Sequence, residues 1–114
     1  MSDIPDFTDH EMAAIQEAVN RRYGKHVEVQ LADTELRLSP GSRQLSSCPT
    51  AYWEGRGAHF VVFKTGEDHY RCQFFYSVSK QYGTGIEEYR DLGECVTTVL
   101  RVQADHEAQG GEQP

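Results

Sequence analysis

The chain has 114 residues, 18 acids against 11 lysines and arginines, and a net charge of −7. That length makes one domain able to bury a core without metals or disulfides, and an acidic balance disfavours nonspecific binding to nucleic acid or anionic membranes. No apolar run approaches the ~18 residues of a membrane span, and three cysteines at irregular spacing argue against a disulfide framework and for a reducing, cytoplasmic setting.

Residues 1–7 are an acidic extension without the basic and apolar regions of a signal peptide. Thr8-Asp9-His10-Glu11 fits a capping box, with Phe7 placed as a hydrophobic staple. Met12, Ile15, Val19 and Tyr23 follow at helical spacing, and Arg21, Arg22 and Gly24 suit a helix end. A helix over 9–23 is expected.

Alternation over 26–32 predicts a first strand, and Leu36 and Leu38 a second after a tight turn at Asp33-Thr34. The Pro-, Gly- and Ser-rich stretch 39–50 reads as a long loop. Three further strands are expected near 51–54, 58–64 and 69–78, then a second loop to Arg90. Asp91-Leu92-Gly93-Glu94 caps a final helix to about His106, with Leu92, Cys95, Val96, Val99, Leu100 and Val102 inward. The expected fold is α+β: an N-terminal helix, a five-stranded mostly antiparallel meander, and a C-terminal helix packed on one sheet face. Its domain spans 8–108, and 109–114 is a flexible tail.

Eight of the twelve aromatic residues lie between Ala51 and Val78. If residues 65–68 form the turn, Phe63 pairs with Tyr70 and Val61 with Cys72. The core face then holds Tyr52, His59, Val61, Phe63, Tyr70, Cys72, Phe74, Tyr76 and Val78. The second face holds Trp53, Phe60, Val62 and Phe75, bordered by Lys64, His69, Arg71, Gln73 and Ser77. A one-residue bulge at this turn would exchange the assignments.

Trp53, Phe60, Phe75, Lys64 and Arg71 are therefore the candidate protein-binding residues, because aromatics with a basic rim suit an interface. The burial of Trp53 is the observation expected to decide whether that face is covered. The acidic C-terminal helix (Glu94, Asp105, Glu107) is a second candidate surface.

The chemistry-bearing residues are sparse. Cys48 is the only cysteine expected outside regular structure, and a reactive thiol needs a nearby cation or imidazole. Arg43 and His59 are its nearest options. With Tyr82 and Tyr89 flanking the second loop, these form a candidate site for a small molecule or an enzyme built on loops 39–50 and 80–90. The five histidines have no metal-ligand spacing, so neither metal nor cofactor is expected. Gly83-Thr84-Gly85 lacks the residues of a phosphate loop.

The favoured expectation is a non-enzymatic protein-binding module of adaptor, chaperone, immunity or inhibitor type, whose partner is another protein or a second copy. The alternatives are that small-molecule or enzymatic site, and single-stranded nucleic-acid binding on the aromatic and basic sheet face.

Overall fold

In the computed structural model, which describes residues 4–38, 41, 43–77 and 80–109, the chain begins with the expected helix α1, Asp9–Tyr23. Its capping box is complete: the Thr8 hydroxyl accepts from the Glu11 amide, and the Glu11 carboxylate accepts from the Thr8 amide. Gly24 ends it at a φ of 69°, a left-handed conformation that favours glycine.

Strands β1 (Gln30–Leu36), β2 (Ser46–Gly55), β3 (Ala58–Gly66), β4 (His69–Ser77) and β5 (Lys80–Tyr82) form an antiparallel sheet in sequence order, followed by helix α2, Leu92–Ala108. Helix α2 packs on β3 and β4. The expected architecture is therefore present, but four strand assignments change.

Residues 26–29 are not strand. The Val27 amide donates to Asn20 Oδ1 at 3.1 Å and the Val27 carbonyl accepts from Gln16 Nε2 at 2.6 Å, so side chains of α1 take the hydrogen bonds a sheet would have used. There is no turn at Asp33-Thr34. β1 runs straight through both as an edge strand, where exposed Asp33 is tolerated, and Thr34 Oγ1 accepts from Thr50 at 2.9 Å. Residues 46–50, expected as loop, begin β2. Pro49 is accommodated because pairing of β2 with β3 starts only at Thr50. The short β5 also falls inside an expected loop. Val78, expected in the core, and the tail beyond Gln109 lie outside the described residues.

The larger correction concerns the faces. The β3–β4 turn contains only Glu67 and Asp68, and a bulge between Lys64 and Gly66 shifts the register. Lys64, not Phe63, pairs with Tyr70, and Val62 pairs with Cys72. β2 and β3 therefore present Ala51, Trp53, Ala58, Phe60 and Val62 to the same side as Tyr70, Cys72 and Phe74 of β4, and both helices cover that side. Ile15, Val19, Cys95, Val96 and Val99 close the core from above. Trp53 is 0% exposed and stacks on its cross-strand neighbour Phe60, ring centroids 5.2 Å apart. Burying these two aromatics removes several hundred Å² of apolar surface from water.

The two helices run side by side in the same direction. Their N-termini both line a cleft beside the β3–β4 turn. At the other end, the Arg56 guanidinium in the β2–β3 turn donates to Glu107 at 3.3 Å, and Gly55 lies under Tyr23. A β-carbon at Gly55 would sit 2.4 Å from the Tyr23 ring. No helix among the described residues is long and apolar enough to cross a membrane.

Gly55→Ala is accordingly expected to destabilise the fold by more than ~1 kcal/mol, because the Tyr23 ring must move; denaturant unfolding checks this. Trp53, the single tryptophan, should emit from an apolar environment and resist acrylamide quenching until the chain unfolds. Ready quenching of the native protein would contradict the register described above.

Candidate functional site

Two places concentrate polar chemistry: the cleft at the helix N-termini, and the sheet face opposite the helices. The cleft exists because Lys64 shares a strand face with Phe60 and Val62 and must follow them inward. Its side chain is only 4% exposed. Nζ donates to Glu11 Oε1 at 2.7 Å and to the Asp6 carbonyl at 3.0 Å. The Tyr70 hydroxyl, on the strand paired with Lys64, donates a very short hydrogen bond to the other Glu11 oxygen. Glu11 thus accepts from a lysine, a tyrosine and its own helix cap.

Burial alone would push the Glu11 carboxyl pKa up, but the hydrogen bonds from Lys64, Tyr70 and Thr8 outweigh it and hold the group below the ordinary 4.5. Tyr70 moves the other way, raised well above 10.0 by burial and by its bond to the Glu11 carboxylate. A tyrosine held in its neutral form and a fully bonded carboxylate are poor acid–base catalysts at neutral pH. The cleft, about 450 Å³ and walled also by His10, Glu67, Asp68 and Arg90, is in chemical terms the joint that fixes α1 to the β3–β4 hairpin.

The opposite face is different. It carries Gln30, Ala32 and Thr34 of β1, Cys48, Thr50 and Tyr52 of β2, His59, Val61 and Phe63 of β3, and Arg71, Gln73 and Phe75 of β4. At one end Cys48, Thr50 and Phe63 are buried, and the segment after β1 comes against this end where the Leu38 carbonyl accepts from Arg71 at 3.3 Å. Glu88 closes a corner, accepting from Thr65 at 2.9 Å, lying 2.8 Å from His69 Nδ1 and pairing with Arg71 at 3.5 Å. Although burial alone would raise its pKa, the bonds from His69 and Thr65 and the charges of His69 and Arg71 hold the Glu88 carboxyl low.

The other end of this face is left half-exposed, and there Tyr52, His59 and Phe75 form a stacked row across three strands. Ring centroids are 5.9 Å apart between Tyr52 and His59 and 5.1 Å between His59 and Phe75, with interplanar angles of 22° and 14°. Tyr52 Oη lies 2.6 Å from His59 Nδ1, and Glu54 lies 3.9 Å from Nε2. Burial followed by the Glu54 charge raises the Tyr52 pKa, so its hydroxyl stays protonated. Val61 and Gln73, directly paired, sit beside the row.

Of the five residues expected on an interface, the structure leaves Phe75 and Arg71 on the uncovered face and places Trp53, Phe60 and Lys64 beneath the helices. Tyr52 and His59, expected in the core, are on the uncovered face. The loop-site residues are not brought together. Cys48 is fully buried in β2, donating to the Ser46 carbonyl at 3.6 Å, and burial raises its thiol pKa despite the nearby Arg71 charge. His59 opposes Glu54, six positions along β2 from Cys48, or about 20 Å. Arg43 is exposed ahead of β2, and no hydrogen bond or ion pair among the described residues ties it to either.

Tyr82 stacks on Phe74 at 5.3 Å, on the helix side, and lies 4.8 Å from His106. Tyr89 is buried, its backbone pairing with Tyr70. Tyr89 holds the 83–88 loop to the sheet edge through its hydroxyl, which hydrogen-bonds Thr84, while Tyr82 packs under α2. Among the described residues, no three His, Cys, Asp or Glu side chains come together as a metal group.

No protein-family model, no curated protein and no solved structure matches this chain.

Removing Glu11 leaves a buried ammonium without its counter-charge. Glu11→Ala is expected to cost about 3–5 kcal/mol, and adding Lys64→Met should recover a large part of that; a double-mutant cycle from denaturant unfolding measures the coupling. Because the Glu11 pKa is lowered in the folded state, its contribution is present above about 4.5 and is lost as pH falls below it. Tyr70 acts oppositely: its contribution is present below 10.0 and is lost at higher pH. The acid limb of the stability profile should flatten in Glu11→Ala, and the alkaline limb in Tyr70→Phe.

Proposed function

We propose that this chain is a non-enzymatic protein-binding module that works through the half-exposed end of the uncovered sheet face, and that the occupant of that face is a second copy of the chain. The stacked row Tyr52–His59–Phe75 carries the proposal. Both helices lie on the other side of the sheet, so these rings are held flat and in register with no helix over them. Rigid aromatics lose little side-chain entropy when a partner packs on them.

Charge favours a like partner. The chain is strongly acidic, with five acids and two bases in residues 1–24 and seven acids and two bases in residues 81–114. A basic protein would be drawn to those helical regions. The patch of Tyr52, His59, Val61, Gln73 and Phe75 has a single carboxylate at its edge, Glu54, which lies 3.9 Å from His59 Nε2, and no lysine or arginine, so two copies meet there with less repulsion than at the acidic helical regions. A two-fold arrangement sets the row against its own image, the usual form of a homodimer.

Sedimentation equilibrium across the micromolar range should return twice the chain mass. Phe75→Glu, a change at a half-exposed ring, should give a monomer with unchanged cooperative unfolding. A wild-type chain that stays monomeric to ~100 μM, well above the dissociation constants of specific dimers, would overturn the proposal. So would salt-sensitive oligonucleotide binding abolished by Phe75→Glu, which would assign the face to single-stranded nucleic acid.

A further inference from the structure

The outer surface of the helix layer carries a feature unrelated to the sheet face. Between the parallel helices lies a groove of about 380 Å³ lined by Ala18, Arg21 and Arg22 of α1 and Thr97, Leu100, Arg101 and Ala104 of α2. The positions follow helical spacing, so each helix presents one edge of the groove. The floor is apolar. Leu100 is at its base, and Ala18, Thr97 and Ala104 are small enough to leave room where longer side chains would have closed it.

The rim is cationic. Three of the chain's eight arginines stand around this one groove, with no carboxylate in its lining, in a protein that has 18 acids. Among the described residues Arg21 is paired only with Glu17 one turn away, both side chains well exposed, and such a pair contributes little. Among the described residues no ion pair satisfies Arg22 or Arg101. Arg22 lies over the Tyr23 ring at 5.3 Å, and its Nε is shut away from solvent without an acceptor. The cations a docked carboxylate can reach are exposed Arg101 and weakly paired Arg21, with the Arg22 charge beside them.

We infer that the groove is a docking site for an acidic amphipathic helix of a partner protein, its apolar residues seated on Ala18, Leu100 and Ala104 and its flanking carboxylates paired with Arg21, Arg22 and Arg101. Two side-by-side helices with a small-residue seam accept a third helix along the seam. The arginine rim selects for acid on that helix and against base, which is specificity by charge as well as by fit. The site lies across the molecule from the Tyr52–His59–Phe75 row and is compatible with one copy or two.

The probe is a fluorescent helical peptide of about 15 residues, four turns, with a leucine stripe flanked by glutamates, compared with the same peptide flanked by lysines. Fluorescence anisotropy should show saturable binding of the glutamate peptide, weakened by added salt, and none of the lysine peptide. Arg101→Glu, at an exposed position, should weaken the glutamate peptide by about tenfold or more and admit the lysine peptide. Ala104→Trp, which fills the seam, should abolish both while circular dichroism and unfolding remain native. Equal binding of the two peptides, binding of neither, or indifference to Arg101→Glu would each overturn the proposal. Pelleting with phosphatidylglycerol vesicles that Arg101→Glu abolishes, without peptide discrimination, would assign the groove to an anionic lipid and overturn it too.

Discussion

The structure depends on one buried charge. Placing Phe60 and Val62 beneath the helices obliges Lys64, two positions further along the same strand face, to enter the protein as well. An unpaired ammonium there would cost several kcal/mol, so the arrangement holds only because Glu11 stands opposite. Glu11 is in turn fixed by the helix cap it completes and by the Tyr70 hydroxyl. One carboxylate therefore joins the start of α1, the end of β3 and the start of β4. The bulge beside Lys64 belongs to the same device, because it brings Lys64 opposite Tyr70 and lets both reach Glu11.

The two surfaces of the protein follow from that register. With the largest aromatics committed to the helix side, the other side of the sheet keeps a smaller set of rings, and one row of them stays half-exposed. The helices, spared from covering both faces, pack side by side and leave a seam on their outer surface. An aromatic sheet face and a cationic helical groove thus lie on opposite sides of a chain whose acids are concentrated in the terminal thirds. Beneath the helix N-termini, Lys64 and Tyr70 are both bonded to the Glu11 carboxylate.

How much of this could be read in advance differs from element to element. Both helices were legible to within two residues because their signals are local: Thr8 with Glu11, Asp91 with Glu94, Gly24 after Tyr23, and apolar residues at the helical period. The strand ends were less legible, since Gln16 and Asn20 capture Val27 from eleven and seven residues away along the chain, a competition no strand pattern contains. Asp33-Thr34 has the composition of a turn, yet as an exposed edge it needs only one side paired. Cys48 and Pro49 sit in a segment with loop composition that pairing with β1 converts to strand. Alternation along β4 alone puts Phe75 and Arg71 on the side away from Tyr70, Cys72 and Phe74, where they lie, whereas Tyr52 and His59 depend on the β3–β4 register and lie opposite to their expected side.

The amino-acid sequence by itself determined the class of the fold, the two capped helices, the meander order and the concentration of aromatics in residues 51–78. These rest on propensity, capping and alternation, which act over a few residues. Only the tertiary structure decided which side of the sheet is inside. Strand alternation has a period of two, so a single extra residue at Thr65 exchanges every side chain of β2 and β3 relative to β4. Whether that residue is extruded is settled by the packing of Trp53 and Phe60 under the helices and by the carboxylate, 53 residues away from Lys64, that makes its burial affordable.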